Sequence, residues 1–178
     1  MAQFSNRRIQ TLLRQGLKAS TKTAKGQALE ELVCYIFSKV PGIEIYKRNV
    51  MNVSATEEID VALWNAKSPT GLYFLPNILL VECKNWSAPI GSQEVSTFIQ
   101  RLQNRGRDYG ILIAANGISG SAQEISRAHH EIMMSLSHGI HILVLTGTEI
   151  GALHKTKQLV DLLKGKLCEL AVAGTMFL

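Results

Sequence analysis

Ile78-Leu79-Leu80-Val81-Glu82-Cys83-Lys84 is the stretch that decides how this chain is read. Four apolar residues run without a break and stop at an acid. Such a run is what a strand covered on both faces requires. On a strand, Glu82 and Lys84 point to one face, roughly 6–7 Å apart along the chain, while Cys83 points to the other and can enter the core. A lone charge buried at that strand end would be costly. The carboxylate and the ammonium therefore call for partners.

Upstream, Glu57-Glu58-Ile59-Asp60-Val61 opens a second strand, Ile59–Trp64, which also carries an acid beside apolar residues. The segment Asn65–Asn77 holds Pro69, Gly71 and Pro76 and reads as a turn or extended loop. Ile43–Val53 alternates as a strand, with Ile43, Ile45 and Lys47 on one side and Glu44, Tyr46 and Arg48 on the other. Before it, Leu29, Leu32, Val33, Ile36, Phe37 and Val40 mark a helix over about 25–40, ended by Pro41-Gly42. Residues 5–18 form a short basic helix with Ile9, Leu12, Leu13 and Leu17 on one face, followed by a polar break over 20–25.

Downstream, Val95, Phe98, Ile99 and Leu102 mark a helix, and Tyr109–Ala115 a buried strand. Ser121-Ala122-Gln123-Glu124 has the form of a capping box ahead of Ile125, Ala128, Ile132, Met133 and Leu136. Ile140–Leu145 is a further strand, and 148–167 a final helix with Ile150, Leu153, Val160 and Leu163 inward. The apolar tail 171–178 closes the core or packs on a second copy. From residue 25 the order is helix, three strands, helix, strand, helix, strand, helix. That is an α/β domain on a central mixed sheet, antiparallel at first and parallel later, with helices on both faces. Residues 1–20 are an N-terminal basic arm and 21–178 a single domain.

If the two acidic strands pair, Asp60 brings a second carboxylate to Glu82 and Lys84. Oxygen donors of this kind suit a hard cation such as magnesium, which keeps several waters, one of them able to attack phosphorus. In this reading Asp60, Glu82 and the backbone carbonyl of Cys83 hold the ion. Lys84 orients or deprotonates the water, or stabilises charge on the phosphate. Glu30 lies about 100° from Leu29, at the border of the buried helix face, and can reach over the sheet edge, whereas Glu31 faces solvent.

The ordered set 25–33 (Lys25-Gly26-Gln27-Ala28-Leu29-Glu30-Glu31-Leu32-Val33), Glu58-Ile59-Asp60, Leu80-Val81-Glu82-Cys83-Lys84 and the strand and glycine turn from Tyr109 to Ala122 resembles the PD-(D/E)xK nuclease superfamily. Within it, the chain is most similar to Mrr-like restriction endonucleases, over about residues 22–150. Ile59 stands where the superfamily name has proline. The resemblance implies a restriction-endonuclease-like fold and magnesium-dependent cleavage of DNA, with manganese as a substitute. It implies Glu30, Asp60, Glu82 and Lys84 as catalytic residues. A homodimer would supply two sites for two strands, and a separate partner could choose the target in defence or restriction. Structure-specific cleavage is the competing role.

Blander readings exist for each feature. An isolated Glu-x-Lys on a strand is usually a surface ion pair. Lys22, Lys25, Lys47, Arg48, Arg101, Arg105 and Arg107 are candidate phosphate contacts, with a solvated face as the default for any one. Trp86 is a candidate for stacking on a base. Ser119 and Ser121, in the turn before a helix, are candidates for receiving a phosphate. The five histidines show no metal spacing. A net charge of +5 fits a polyanionic partner without requiring one. Three cysteines without a CxxC pair argue for a reducing, cytoplasmic setting, and no apolar run reaches the ~18 residues of a membrane helix. The alternative from another class is a non-catalytic nucleic-acid-binding or assembly module that retains the fold. Cleavage of RNA rather than DNA is left open.

Overall fold

The computed structural model describes residues 2–84, 87–119 and 127–174. In chain order its elements are α1 (Asn6–Lys18), α2 (Lys22–Phe37), β1 (Ile43–Met51), β2 (Glu58–Asn65), β3 (Ile78–Lys84), α3 (Ser92–Asn104), β4 (Tyr109–Ala114), α4 (Arg127–Ser137), β5 (His141–Thr146), α5 (Gly147–Gly151) and α6 (Thr156–Ala173). The five strands form one sheet in sequential order. β1 and β2, and β2 and β3, are antiparallel; β3 with β4 and β4 with β5 are parallel. This is the mixed α/β sheet expected from the sequence.

The decisive run at 78–81 is the middle strand. On β4, both the odd-numbered Ile111 and Ile113 and the even-numbered Leu112 and Ala114 are buried, so both sheet faces are covered. α3 covers the even face. A Cβ on Gly110 would fall 2.6 Å from Leu102 Cδ1 and 2.7 Å from Phe98 Cε1, so glycine is what lets this helix approach. α2 touches β1, β2 and β3 and carries α1 on its outside. Phe4, Ile9 and Leu12 belong to the same core cluster as the sheet.

The loop between β2 and β3 is organised by one fully buried polar residue, Asn65. Its Nδ2 donates to the carbonyls of Leu72 (2.8 Å), Leu75 (3.1 Å) and Pro76 (3.2 Å), and its Oδ1 accepts from Lys67 N (3.0 Å). A buried loop backbone must find such partners. The β2–β3 register is thereby anchored from the end opposite the acids.

Several details differ from the sequence reading. α2 begins at Lys22, not 25, because Thr21 caps it, accepting from Ala24 N at 3.2 Å. Leu17 is exposed rather than inward, because α1 turns Ile9, Leu12 and Gly16 to the core. β1 ends at Met51 and does not alternate throughout. A bulge between Ile45 and Lys47 leaves Tyr46 as the extra residue. Met133 is exposed on α4.

The expected helix over 148–167 is two helices, α5 and α6. The cause is tertiary. The N-terminal segment lies along the break, where Phe4 N donates to His154 O and Thr156 N donates to Ala2 O. The capping box at 121–124 lies outside the described residues, as do residues 175–178 of the apolar tail. Residues 171–173 finish α6. Among the described residues, no helix is long and apolar enough to cross a membrane.

Candidate active site

β2 and β3 pair as far as Val61 and Val81. One further step of that register sets Asp60 across from Glu82. Directly opposite residues of an antiparallel pair share a face, so both carboxylates lie on the even side, with Lys84 one strand repeat beyond. There the ladder stops, and the Asp60 side chain takes over: its Oδ2 accepts from Cys83 N at 2.6 Å. On β3's other edge, Ala115 N donates to Lys84 O at 2.9 Å. Main-chain groups alternate between edges along a strand, so the Cys83 carbonyl, like its N–H, turns toward β2 and Asp60. The Cys83 thiol points away into the core, and burial pushes its pKa well up.

Glu82 is only 1% exposed. Its Oε1 accepts from Lys84 Nζ at 2.7 Å and from Arg101 Nη1 at 2.6 Å. Its Oε2 is buried and has no hydrogen-bond partner among the described residues. Asp60 has the opposite problem, too little positive charge. Burial first, then the Glu82 carboxylate, push its pKa from 3.8 up to about 7, against the pull of the Cys83 N–H and Lys84. Glu30 adds to the push on Asp60, which puts its charge within reach of the same cleft. It is itself buried, and its Oε2 accepts from Arg48 Nη2 at 3.2 Å. Glu31 faces out and pairs with Arg8 at 3.3 Å.

Arg101 and Arg105 play a part that sequence reading missed. α3 packs on Gly110 through Phe98 and Leu102, and this carries Arg101 and Arg105 on its flank to the acidic strand ends. Arg105 Nη1 donates to Glu57 Oε2 at 2.6 Å, and Asn104 Nδ2 to Glu57 Oε1 at 2.6 Å. These contacts hold the Glu57 carboxyl below its usual range. The signal for Arg101 was present: it lies three residues after Phe98 and next to Leu102, at the border of a buried face, as Glu30 does on α2.

The remaining candidate contacts are dispersed. Lys25 is half-buried in the opening turns of α2, and Lys47 is exposed, with its ammonium 5.5 Å from the Tyr46 ring centre. Arg48 is committed to Glu30 and Arg105 to Glu57. Ser119 N donates to Ile90 O at 2.9 Å, tying the turn after β4 to the segment before α3. Trp86 and Ser121 lie outside the described residues.

No group of three His, Cys, Asp or Glu side chains converges as a metal site among the described residues. The donors available to a metal are two carboxylates, Asp60 and Glu82, and a main-chain carbonyl. They fit a hard cation: all are oxygen, one buried carboxylate oxygen lacks a partner, and one carboxylate lacks countercharge.

A family model described as restriction endonuclease, the Mrr catalytic domain, matches residues 21–145. No curated protein matches the chain.

Proposed function

Because this chain belongs to the restriction endonuclease family, as an Mrr-type catalytic domain, we propose that it hydrolyses DNA phosphodiester bonds with a divalent metal ion held by Asp60, Glu82 and the Cys83 carbonyl. One observation carries the metal reading. Asp60 and Glu82 stand together on one sheet face with their charge incompletely balanced, Glu82 Oε2 partnerless among the described residues and Asp60 pushed up to about 7. Buried carboxylates so arranged are a frequent mark of a working site.

A bound magnesium or manganese ion would supply Lewis acidity at the phosphate and a more acidic water. The chain's own residues do the rest. The Cys83 N–H fixes the Asp60 carboxylate, so one oxygen is oriented and the other is left to face the cleft. Lys84 is held at Glu82 Oε1, only partly exposed, where its ammonium can donate to an attacking water or a phosphoryl oxygen. Arg101 gives the buried Glu82 carboxylate a charged partner and fixes its rotamer. Glu30, braced by Arg48, closes the acidic side of the cleft and adds a second-line acceptor for water. Cutting both strands of a duplex calls for two such sites, which supports a homodimer.

The test is cleavage of supercoiled plasmid and of branched DNA, with magnesium and with EDTA. Magnesium-dependent cutting that is lost in both Asp60→Ala and Lys84→Ala supports the assignment, and the preferred DNA separates restriction from structure-specific roles. Undiminished cutting by both variants would sink it. Binding of both DNAs without any cutting favours the non-catalytic module.

A further inference from the structure

The charge of this chain is concentrated at one end. Residues 1–29 hold six Lys and Arg and no acid, leaving thirteen cations and fourteen acids for residues 30–178. The whole positive excess therefore sits on α1 and the opening turns of α2. On α1, Arg7, Arg14 and Lys18 are spaced i, i+7, i+11, one stripe along a helix. That stripe lies opposite the buried Ile9, Leu12 and Gly16. Arg7, Arg14, Lys18 and, just beyond, Lys22 are all exposed. None makes an ion pair among the described residues.

Around the candidate active site the reverse holds. Arg48, Lys84, Arg101 and Arg105 are each committed to a carboxylate. The cations nearest the acids neutralise the acids, and uncompensated charge begins at α1. This helix sits at the right end of the sheet. A cavity of about 470 Å³ separates its Gln10, Leu13 and Arg14 from Ala115, Asn116 and Gly147, at the C-terminal ends of β4 and β5. Ala115 N is bonded to Lys84 O, so this cavity abuts the catalytic strand. α1 also lies wholly outside the stretch that the family model matches.

We propose that the outer stripe of α1, with Lys22, is a second contact surface for duplex DNA, gripping phosphates beyond the point of cleavage. The proposal rests on the reading of DNA as substrate. From Arg7 to Lys18 the stripe spans ~16 Å, about five base pairs of duplex rise. A basic amphipathic helix also suits an anionic membrane surface. Here, however, the apolar face is already used: Ile9 and Leu12 are buried in the core. Apart from Leu17, what remains outward is polar or charged, which favours a polyanion without an apolar layer.

The test is fluorescence anisotropy of a 20-base-pair duplex in EDTA, across a salt series. It compares wild type, the triple variant Arg7→Gln/Arg14→Gln/Lys18→Gln, the same sites as Lys, and Lys67→Gln in the loop at the sheet's other end. Each lost phosphate contact lowers the slope of log K against log salt by about 0.9. The triple variant should lose about 2.7 of slope, and extrapolated to 0.15 M salt its binding should weaken on the order of 100-fold. The lysine variant and Lys67→Gln should match wild type, and all four proteins should share one melting temperature within a few degrees. A triple variant that folds and keeps both slope and affinity overturns the arm while leaving the nuclease intact. A wild type that neither binds nor cuts DNA overturns both. Wild-type binding to phosphatidylserine vesicles but not to duplex overturns the arm in favour of a membrane.

Discussion

Replacing Asp60 by Asn should stabilise the metal-free protein at neutral and alkaline pH while removing its response to metal. In the folded chain Asp60 holds its proton up to about 7, because it is partly buried beside Glu82; in the unfolded chain it releases it near 3.8. A carboxyl whose pKa is raised on folding contributes fully below its unfolded pKa. That contribution fades as pH rises and is gone above the folded value. The gap between 3.8 and about 7, at ~1.4 kcal/mol per pH unit, sets a ceiling of ~4 kcal/mol. Asp60 is half-buried rather than sealed, so water and relaxation reduce this to about 1–3 kcal/mol.

Asparagine keeps an acceptor for the Cys83 N–H and brings no charge. For a domain of this size 1 kcal/mol moves the melting temperature by about 2–4 °C. In EDTA, Asp60→Asn should therefore melt some 3–10 °C above wild type at pH 8. Its lead should shrink steadily below pH 7 and vanish near pH 4. Adding magnesium should then raise the wild type, as any ligand of the folded state does, and leave the variant where it was. Differential scanning calorimetry at four pH values reads both effects. A variant less stable than wild type at pH 8, or one that magnesium stabilises equally, refutes the reasoning that this carboxylate is held in place for a cation.

Other substitutions test the supports of the site. Arg101→Leu should leave Glu82 buried with Lys84 as its remaining described partner, costing about 3–5 kcal/mol of stability by chemical denaturation and most of the cleavage rate. Gly110→Ala should push α3 off the sheet through Phe98 and Leu102; we expect about 1–3 kcal/mol of destabilisation and a larger fractional loss of cutting than of folded protein. Asn65→Ala should release three loop carbonyls in the interior and cost about 2–4 kcal/mol, with the cleavage rate of the folded fraction unchanged. His129 is buried on α4 and its pKa is lowered by that burial, so it contributes stability above about 6.5 that is lost as pH falls through its folded value; His129→Gln should flatten the acid side of the stability profile between pH 7 and 5.

The site was legible in the sequence to the extent that it obeys local periods. Period two fixed the common face of Glu82 and Lys84. The apolar run before them announced a covered strand, and the helical period placed Glu30 at a border and Glu31 outside. None of these needs knowledge of what lies across the sheet. The parts that escaped depend on a distant contact. Arg101 reaches Glu82, 19 residues away in sequence, because a glycine on β4 admits α3 to close range. α5 and α6 separate because residues 2–4 lie against the break, although residues 148–167 carry a continuous helical pattern. Tyr46 is displaced by a bulge that no turn residue announces. Asn65 continues the buried alternation Ile59, Val61, Leu63, and a polar residue in that series demands partners, but which carbonyls it serves is settled by the path of the loop. The same division explains the electrostatics. A sequence shows how many charges a chain carries and where they cluster. Only the fold shows that the cations near the acidic strand ends are already committed to acids, and that α1 carries uncompensated charge facing outward.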